Sequence, residues 1–541
     1  MNKKLLIVVA LIVLAVAAFA MRGGNKPEGN GTGADKAGDT GSSATLIIGL
    51  DPDYESFDPC LAYEVYAQTV TNSIYNNLVH FEGNLDEIKP DLAETFEATP
   101  DAKTFTFHLF KDAKFASGNP VTAQDVVWSF NRLKNIQGNP AFIAEGIDSV
   151  EAKDDHTVVI HLKEPDGALL AKLTYSGFSV IDSKLAMENG ATDAPDAKTA
   201  DTAKLWFDSH SAGSGPYILE SYTPKEEVVL KRNDNYWKTP AVFEKIVFKS
   251  IQDPGTQLMM LEKGDIDIAF NLGPENVKQL EKNQDVTVMK AQSMVISFLA
   301  MNRDKAVAGP IANPDVQRAI RHAIDYKGLQ EIAGEGCTTP TSIIQVGFLG
   351  ALPPLDIEKT HDVEKAKEYM KKAGYADGFK TTLNVPSFTV EGTDLVTLAQ
   401  KIQEDLKVIG IEVEINPSDV TQAFGVYREG KSPFGLFYWG ADYQDPNNQL
   451  AFVAGGSVAG PRANWPASDA PELAELAQKA MGETDPEKRA EFLKEIQLKM
   501  DEGCPFIVLL QHGRQFAVRS NVYGADYIDP YKIDIRMINK K

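Results

Sequence analysis

Hydrophobic positions along the chain follow two periods, one typical of strands and one typical of helices. A short apolar run at residues 45–50 ends at Asp51-Pro52, and residues 104–110 (TFTFHLF) alternate like a half-buried strand. At residues 122–133, Val126, Phe130 and Leu133 fall on one helical face. Further strands are predicted at residues 156–162 and 411–415, and further helices at residues 64–78, 315–324 and 394–409.

This alternation of strands and helices predicts an α/β chain. Helices of about ten residues or more between strands favour largely parallel sheets with crossover helices. Thr122, with Asp125 three residues later, is typical of a helix start. In the stretch GSGPY we expect Gly213 and Gly215 to form a tight turn with positive φ. The sequence has no repeat of fixed period, which argues against a solenoid or propeller.

The N-terminal region has the pattern of a secretory signal peptide. Lys3 and Lys4 precede seventeen uncharged, mostly apolar residues, and Ala18-Phe19-Ala20 forms a small-residue cleavage site. We expect residues 1–20 to be removed and residues 21–43, rich in Gly, Asn, Asp, Ser and Thr, to be a flexible linker. The alternative is an uncleaved membrane anchor, because seventeen residues lie at the lower edge of a bilayer span. The first cysteine is Cys60, so no lipid-modified cysteine is predicted at the cleavage point.

Composition and charge exclude several classes of protein. The 541 residues are 43% hydrophobic and 9% aromatic, as expected of a globular protein with sizeable cores. A formal charge of −22, with no basic stripe, would repel a phosphate backbone, so no nucleic-acid partner is expected. Three cysteines, Cys60, Cys337 and Cys504, allow at most one disulfide, and we interpret them as core residues.

Six stretches, in order and spacing, resemble the extracytoplasmic solute-binding proteins of ABC importers, specifically family 5, the large peptide and nickel type. The first includes GNPVTAQDVVWSFNRL, the second GSGPYILESY and the last WGADYQDP. The resemblance covers about residues 44–530. The six stretches are residues 92–133, 213–237, 261–270, 316–325, 402–415 and 439–446.

This resemblance implies an α/β, two-lobed periplasmic-binding-protein fold (type II) with an extra subdomain in the first lobe. Lobe I would comprise residues 44–296 plus 512–541, with the inserted subdomain at about residues 76–204, and lobe II residues 297–511. The chain would cross between the lobes near residues 297–303 and 506–513. A ligand held between the lobes would favour the closed form, and the membrane permease would recognise that form. We expect a monomer outside the cytoplasmic membrane.

Asp442 follows the aromatic run Phe437-Tyr438-Trp439, so its carboxylate needs a positive partner if it is buried. In peptide-binding relatives the Asp of a W-x-x-D-Y stretch meets the α-ammonium of the peptide, and Asp442 stands at that position. The alternative is a turn-capping role before Asp445-Pro446. The predicted ligand-binding residues are Asp442, Trp439, Tyr438 and Tyr443, with Tyr54 on the facing wall and Arg462 as a candidate partner of a ligand carboxylate.

The sequence departs from the dipeptide-binding pattern. Dipeptide-binding relatives carry an Arg shortly before the helix of residues 394–409, and residues 384–395 here contain no basic residue. Oligopeptides therefore fit better than dipeptides. Oligosaccharides, nickel chelates or haem on the same scaffold, and a sensory role through a chemoreceptor, stay open.

An enzyme is not expected. The sequence contains no G-x-S-x-G, P-loop, H-E-x-x-H or C-x-x-C motif. We therefore predict a transport protein with no catalytic residues, no metal site and no cofactor.

Overall fold

A computed structural model describes residues 45–541 except Asp51, Asp53, Gly83, Glu502, Gly503 and residues 529–531. The predicted signal peptide and linker lie outside the described residues. Within the described part of the chain, no helix combines the length and apolar character needed to cross a bilayer.

The secondary structure alternates as the sequence predicts. In chain order, strands β1 to β22 are Thr45–Leu50, Val79–Glu82, Asn84–Pro90, Ala93–Ala98, Thr104–Leu109, Ile147–Asp154, Thr157–Leu162, Tyr217–Thr223, Glu227–Arg232, Lys245–Ser250, Ile268–Ala269, Val286–Met301, Phe379–Pro386, Thr389–Val390, Thr393–Asp394, Ile411–Ser418, Phe434–Gly440, Phe506–Arg519, Val522–Tyr523, Tyr527–Ile528, Lys532–Ile533 and Asn539–Lys540. The α-helices are Val65–Ile74, Ala123–Ile136, Leu169–Lys172, Ser183–Glu188, Ala197–Ala200, Lys204–Phe207, Pro254–Lys263, Pro274–Leu280, Lys305–Ala308, Pro314–Ala323, Tyr326–Ala333, Ile357–Thr360, Val363–Lys372, Leu395–Lys407, Val420–Arg428, Ala459–Ala463, Pro471–Gly482 and Pro486–Asp501.

A ten-stranded sheet has the order β16-β13-β17-β12-β18-β11-β1-β10-β9-β8. Only four of its nine neighbouring pairs are parallel, namely β16 with β13, β13 with β17, β11 with β1, and β1 with β10. The expectation of largely parallel sheets is therefore wrong. The reason is that β12 and β18 run in opposite directions through the middle of the sheet, and β8 and β9 form an antiparallel hairpin at its edge.

The long strands β12 and β18 join two lobes. They pair from Val286 to Gln292 in one register, and pairing resumes at Ile296 after an irregularity. On one side of this point lie β1 and β8–β11, here called the first lobe; on the other lie β13, β16 and β17, the second lobe. Each lobe has its own buried clusters. The predicted α/β class is confirmed, and the residue boundaries of the lobes stay a prediction.

The second lobe shows why amphipathic segments become helices here. In Leu395–Lys407, the residues Leu395, Leu398, Ile402 and Leu406 are fully buried, three or four positions apart. The Asp394 carboxylate caps this helix by accepting from the Thr397 backbone nitrogen at 2.7 Å. The face that results packs against the sheet of the second lobe.

A separate four-stranded sheet, in the order β4-β5-β7-β6, lies within the segment predicted as a subdomain. Helix Ala123–Ile136 contacts this sheet and begins as predicted, since the Asp125 carboxylate accepts from the Thr122 backbone nitrogen at 2.9 Å. The helix ties the subdomain to the first lobe through Arg132, which is fully buried. Its guanidinium donates to both carboxylate oxygens of Asp58, at 2.7 and 2.6 Å.

Two local predictions need correction. The helix expected at residues 64–78 spans only Val65–Ile74, because Tyr75 adopts an extended conformation. Gly213 and Gly215 do not have positive φ. They are glycines because the chain passes too close to its neighbour for a side chain: a Cβ on Gly213 would lie 1.9 Å from the Ile74 carbonyl oxygen.

Candidate functional site

A cleft of about 1390 Å³ lies between the lobes. The first lobe contributes the rings of Tyr54 and Tyr66 to its wall, and the second contributes Phe388 and Tyr438. Six carboxylates line the cleft among the described residues, against three cationic side chains, which leaves a formal charge of −3. The carboxylates are Glu64, Glu226, Glu227, Glu391, Asp394 and Asp442, and the cations are Lys225, Arg514 and Lys532.

Asp442 lies in this cleft, two residues after the end of β17. Its Oδ1 accepts a hydrogen bond of 2.7 Å from the hydroxyl of Tyr63, across the cleft in the first lobe. Its Oδ2 accepts one of 3.2 Å from the side-chain amide of Asn448. Both donors are neutral. Among the described residues, the Asp442 carboxylate therefore accepts hydrogen bonds but forms no ion pair. A carboxylate can accept about four hydrogen bonds, which leaves acceptor capacity for a ligand.

The electrostatic state of Asp442 follows from this environment. Burial raises the pKa of Asp442 above the ordinary aspartate value, and the hydrogen bonds from Tyr63 and Asn448 and the charge of Arg462 only partly offset the rise. A positive group placed against the carboxylate would reverse that cost. The buried carboxylate of Asp442 is therefore suited to a cation, which the protein itself does not supply at hydrogen-bond distance among the described residues.

The aromatic residues of the predicted site divide into two groups. Tyr438 and Tyr54 line the cleft, with Tyr438 stacked on Phe388 at 5.4 Å between ring centroids. The Tyr54 hydroxyl is buried, without a hydrogen-bond partner in the described structure. Trp439 and Tyr443 do not line the cleft.

Trp439 and Tyr443 instead support the loop that carries Asp442. The Trp439 indole nitrogen donates to the Asn448 Oδ1 at 2.8 Å, which fixes the amide that donates to Asp442. Tyr443 is buried, and the ammonium of Lys172 lies 5.2 Å from its ring centroid. The prediction that these two rings contact a ligand stays a prediction, and the structure shows them in a positioning role.

Arg462 is not among the residues that line the cleft. Its guanidinium lies over the rings of Tyr427 and Trp439, 5.5 and 5.8 Å from their centroids. Burial lowers the pKa of Arg462 from its ordinary value. Contact with a ligand carboxylate, expected from the sequence, would need this side chain to leave the two rings.

Asp445 has the structural role that its turn motif suggests. Its carboxylate accepts from the Asn447 backbone nitrogen at 2.8 Å and caps the 3-10 turn Pro446–Phe452. It also forms a buried ion pair with Arg489, whose Nη1 lies 3.0 Å from Oδ2. The two carboxylates of the WGADYQDP stretch therefore differ, because Asp445 is neutralised by Arg489 and Asp442 has no such partner among the described residues.

Further contacts join the two lobes on the subdomain side. The Gly167 backbone nitrogen donates to the Met481 carbonyl at 3.2 Å, and the Asn447 amide donates to the Asp166 Oδ1 at 3.3 Å. Together with the Tyr63–Asp442 hydrogen bond and the Lys172–Tyr443 contact, they hold the lobes against each other. Residues of both lobes therefore form the wall of the cleft.

Sequence reasoning missed a buried ion pair in the cleft wall. Glu391, at the tip of the β14–β15 hairpin, pairs with Arg514 of β18, and both line the cleft. Arg514 also donates to the Tyr66 hydroxyl at 3.0 Å and to the Phe270 carbonyl at 2.9 Å. Burial alone would raise the pKa of Glu391, but the charges of Arg514 and Lys532 and the hydrogen bond from Arg514 lower it overall. This ion pair is therefore part of the cleft wall.

Comparisons with known proteins place the chain among binding proteins. Residues 87–461 match the family described as bacterial extracellular solute-binding proteins, family 5 Middle. The haem-binding protein A of Haemophilus influenzae is 28% identical over 483 residues, covering 83% of this chain and 84% of that protein. The probable D,D-dipeptide-binding periplasmic protein DdpA of Escherichia coli is 28% identical over 491 residues, covering 88% of this chain and 90% of that protein.

Solved structures give the same result for the fold. The ABC transporter-associated periplasmic binding protein DppA of Helicobacter pylori, in complex with the peptide STSA, superimposes with a TM-score of 0.74 at 25% identity. The match covers 92% of this chain and 98% of that one. The predicted two-lobed periplasmic-binding-protein fold is thereby confirmed.

Proposed function

The chain belongs to the bacterial extracellular solute-binding proteins of family 5, as its sequence motifs predicted, and on this premise we propose that it captures oligopeptides outside the cytoplasmic membrane. Members of this family are the binding components of ABC importers rather than enzymes. In this proposal the protein delivers its peptide to a membrane permease after the lobes have closed on it. It acts as a monomer that carries no cofactor.

The observation that carries the proposal is the environment of Asp442. Its carboxylate faces a cleft, has an elevated pKa caused by burial, and accepts hydrogen bonds from the neutral donors Tyr63 and Asn448. The α-ammonium of a peptide supplies both the positive charge and the additional donors that such a group lacks. This supports a ligand role for Asp442 over the turn-capping alternative, since capping falls to Asp445.

The contact with Asp442 accounts for part of the affinity only. A charge-assisted hydrogen bond contributes about 1.5–3 kcal/mol net, whereas micromolar binding requires about −8.2 kcal/mol. The remainder would come from main-chain hydrogen bonds between an extended peptide and strand edges, and from stacking on Tyr54, Tyr438 and Phe388. Because these groups belong to both lobes, bound peptide favours the closed arrangement.

Cleft size and charge favour oligopeptides. A volume of about 1390 Å³ exceeds the range of about 300–1,000 Å³ usual for small-molecule pockets. The cleft-facing part of residues 384–395 is Ser387 to Gly392 with Asp394, and none of these side chains is basic. A dipeptide would need a fixed cation for its carboxylate, and this part of the wall does not provide one.

Haem is the second candidate ligand, because the haem-binding relative is as similar to this chain as the D,D-dipeptide-binding one. The formal charge of −3 in the cleft argues against a ligand with two carboxylates, and for one with an ammonium. Oligosaccharides and nickel chelates remain alternatives on the same scaffold, and a chemoreceptor is an alternative partner for the closed form.

Native mass spectrometry of protein purified without refolding tests the proposal, since a bound ligand would be released and weighed. Calorimetry with tri- to pentapeptides, haem and maltotriose then compares ligand classes directly. We expect a peptide mass, micromolar or tighter peptide binding, and recovery of the peptides uncleaved. Tight binding of haem or sugar with no peptide binding would overturn the peptide assignment, and peptide cleavage would overturn the transport role.

A further inference from the structure

A loop of the subdomain contacts the second lobe outside the cleft. The loop, residues 163–168, directly follows β7. Its Gly167 backbone nitrogen donates to the Met481 carbonyl oxygen at 3.2 Å. Its Asp166 Oδ1 accepts from the side-chain amide of Asn447 at 3.3 Å. Of the described residues that line the cleft, none takes part in these contacts. Their contribution to lobe closure therefore requires no contact with a ligand.

The two surfaces approach each other closely at this loop. Gly167 does not have a positive φ, yet a Cβ at this position would lie 2.8 Å from the Glu483 carbonyl oxygen. Gly482 lies against Pro165, and a Cβ on Gly482 would lie 3.6 Å from the Pro165 Cβ, which is ordinary contact. Position 167 is therefore a glycine because the second lobe comes so near, and its own backbone conformation does not require one.

Charged side chains in each lobe orient the polar groups of this interface. Arg489 of the second lobe donates to the Asn447 Oδ1 at 2.7 Å, so the amide nitrogen of Asn447 faces Asp166. In the subdomain, the Lys172 ammonium pairs with Asp166 Oδ2 and lies 5.2 Å from the ring centroid of Tyr443 in the second lobe. Such a cation adds attraction across the interface. Asp166 and Asn447 are each held within their own lobe, which lowers the entropic cost of joining them.

The closed arrangement without a ligand carries an electrostatic cost. The cleft wall has a formal charge of −3, and burial raises the pKa of Asp442. Without a cation in the cleft, both effects favour separation of the lobes. Contacts outside the cleft oppose that separation. Because apparent affinity rises with the fraction of molecules already in the binding-competent arrangement, these contacts also strengthen binding.

We propose that this interface is a clasp, through which the inserted subdomain stabilises the closed arrangement before a ligand binds. The clasp raises the affinity for every ligand by the same factor, since it lies outside the cleft. This inference goes beyond the proposed function and does not depend on which ligand occupies the cleft. The clasp consists of Asp166, Gly167 and Lys172 in the subdomain and of Tyr443, Asn447 and residues 481–483 in the second lobe.

Small-angle X-ray scattering of the unliganded protein tests the clasp, with G167A as the disrupting variant. The added Cβ meets Glu483 only when the lobes are together, so we expect a larger radius of gyration than in the wild type. G146A is the matched control, because Gly146 lies in the same subdomain, does not have a positive φ and has open space around its Cβ position. Its scattering profile should superimpose on that of the wild type.

A second variant and a binding assay extend the test. K172M removes the cation above Tyr443, keeps an aliphatic side chain, and should increase the radius of gyration as G167A does. In calorimetry with Ala-Ala-Ala and Ala-Phe-Ala, G167A should weaken both peptides at least about fivefold and by the same factor, because the crowded Cβ destabilises only the closed arrangement. G146A should change neither affinity.

Each outcome supports or overturns the clasp. Superimposable profiles of unliganded G167A and wild type would overturn it, as would equal opening in G146A. A loss of affinity for one peptide only would contradict an effect that is independent of the ligand. If G167A does not fold, the scattering of K172M decides in its place. If neither peptide binds to the wild type, the peptide assignment fails, and the scattering comparison still decides the clasp because it contains no ligand.

Discussion

Replacing Asp442 by asparagine separates a ligand role from a structural one. The asparagine side chain in D442N would keep an acceptor for the Tyr63 hydroxyl, which lies 2.7 Å from Oδ1 of Asp442. It would remove the charge and replace the oxygen that accepts from the Asn448 amide by an NH2 group. If a peptide ammonium binds this carboxylate, the loss is that of a charge-assisted hydrogen bond, about 1.5–3 kcal/mol. Affinity should therefore fall about 10- to 150-fold, at about 1.4 kcal/mol per factor of ten.

Stability should move differently from affinity. The pKa of Asp442 is raised in the folded protein, so its ionised form is disfavoured there relative to the unfolded chain. Its contribution is most favourable below the ordinary aspartate pKa and is lost as the pH rises through the elevated folded value. At neutral pH, D442N removes this buried charge but also loses the hydrogen bond from Asn448, so the free energy of unfolding should change little.

Calorimetry measures the affinity, and urea denaturation measures the free energy of unfolding. D362A serves as the control, because Asp362 caps helix Val363–Lys372, accepting from the Lys365 backbone nitrogen at 2.9 Å, and does not line the cleft. This control should lose about 1 kcal/mol of stability and keep its peptide affinity. A D442N protein with lower stability and full affinity would refute the reasoning and restore the turn-capping interpretation.

Three further predictions concern protonation, the cleft wall and chain packing. Peptide affinity should fall on acidification through the raised pKa of Asp442, and so at a higher pH than an ordinary aspartate near 3.9 would give; calorimetry across pH checks this. E391Q leaves Arg514 buried without its ion-pair partner and should lower the free energy of unfolding by about 3–5 kcal/mol in urea. G213A forces a Cβ to within 1.9 Å of the Ile74 carbonyl oxygen and should cost about 1–3 kcal/mol in the same assay.

Each of these has a matched control on the same chain. In D442N the fall of peptide affinity on acidification should disappear. If the same fall persists in D442N, a group other than Asp442 causes it. D356N breaks the exposed pair of Asp356 with Lys359 and should cost less than about 1 kcal/mol; an equal loss in E391Q would contradict the buried-pair argument. Gly425 has open space around its Cβ position within a helix, so G425A should stabilise where G213A destabilises.

Local elements were predictable because their signals are local. β1 has the predicted bounds, and the Thr122–Asp125 and Asp394 helix starts rest on side chains that bond within three residues. The sequence motifs also led to the family and to the two-lobed fold. The position of Asp442 followed from an aromatic strand that ends at a carboxylate, and the structure has it lining the cleft.

The partners across the cleft were not predictable from spacing. Tyr63 and Asp442 are 379 positions apart, and Glu391 and Arg514 are 123 apart, so only the folded arrangement of the lobes brings them together. The parallel-sheet prediction failed for a similar reason. β12 and β18 each pass through both lobes, with 16 and 14 residues, whereas the sequence suggested only short crossings. The prediction of a positive φ at Gly213 failed because the glycine is required by the close approach of another segment of the same chain, at Ile74.

The central claim is that the ammonium of a peptide neutralises Asp442 between the lobes. The most direct test is a cycle in calorimetry, with a bound oligopeptide and its N-acetylated form measured against wild type and D442N. Acetylation removes the positive charge and little else. We expect it to weaken binding to the wild type at least about tenfold and to have almost no effect on D442N. Equal losses in both proteins, or no loss in the wild type, would contradict the claim.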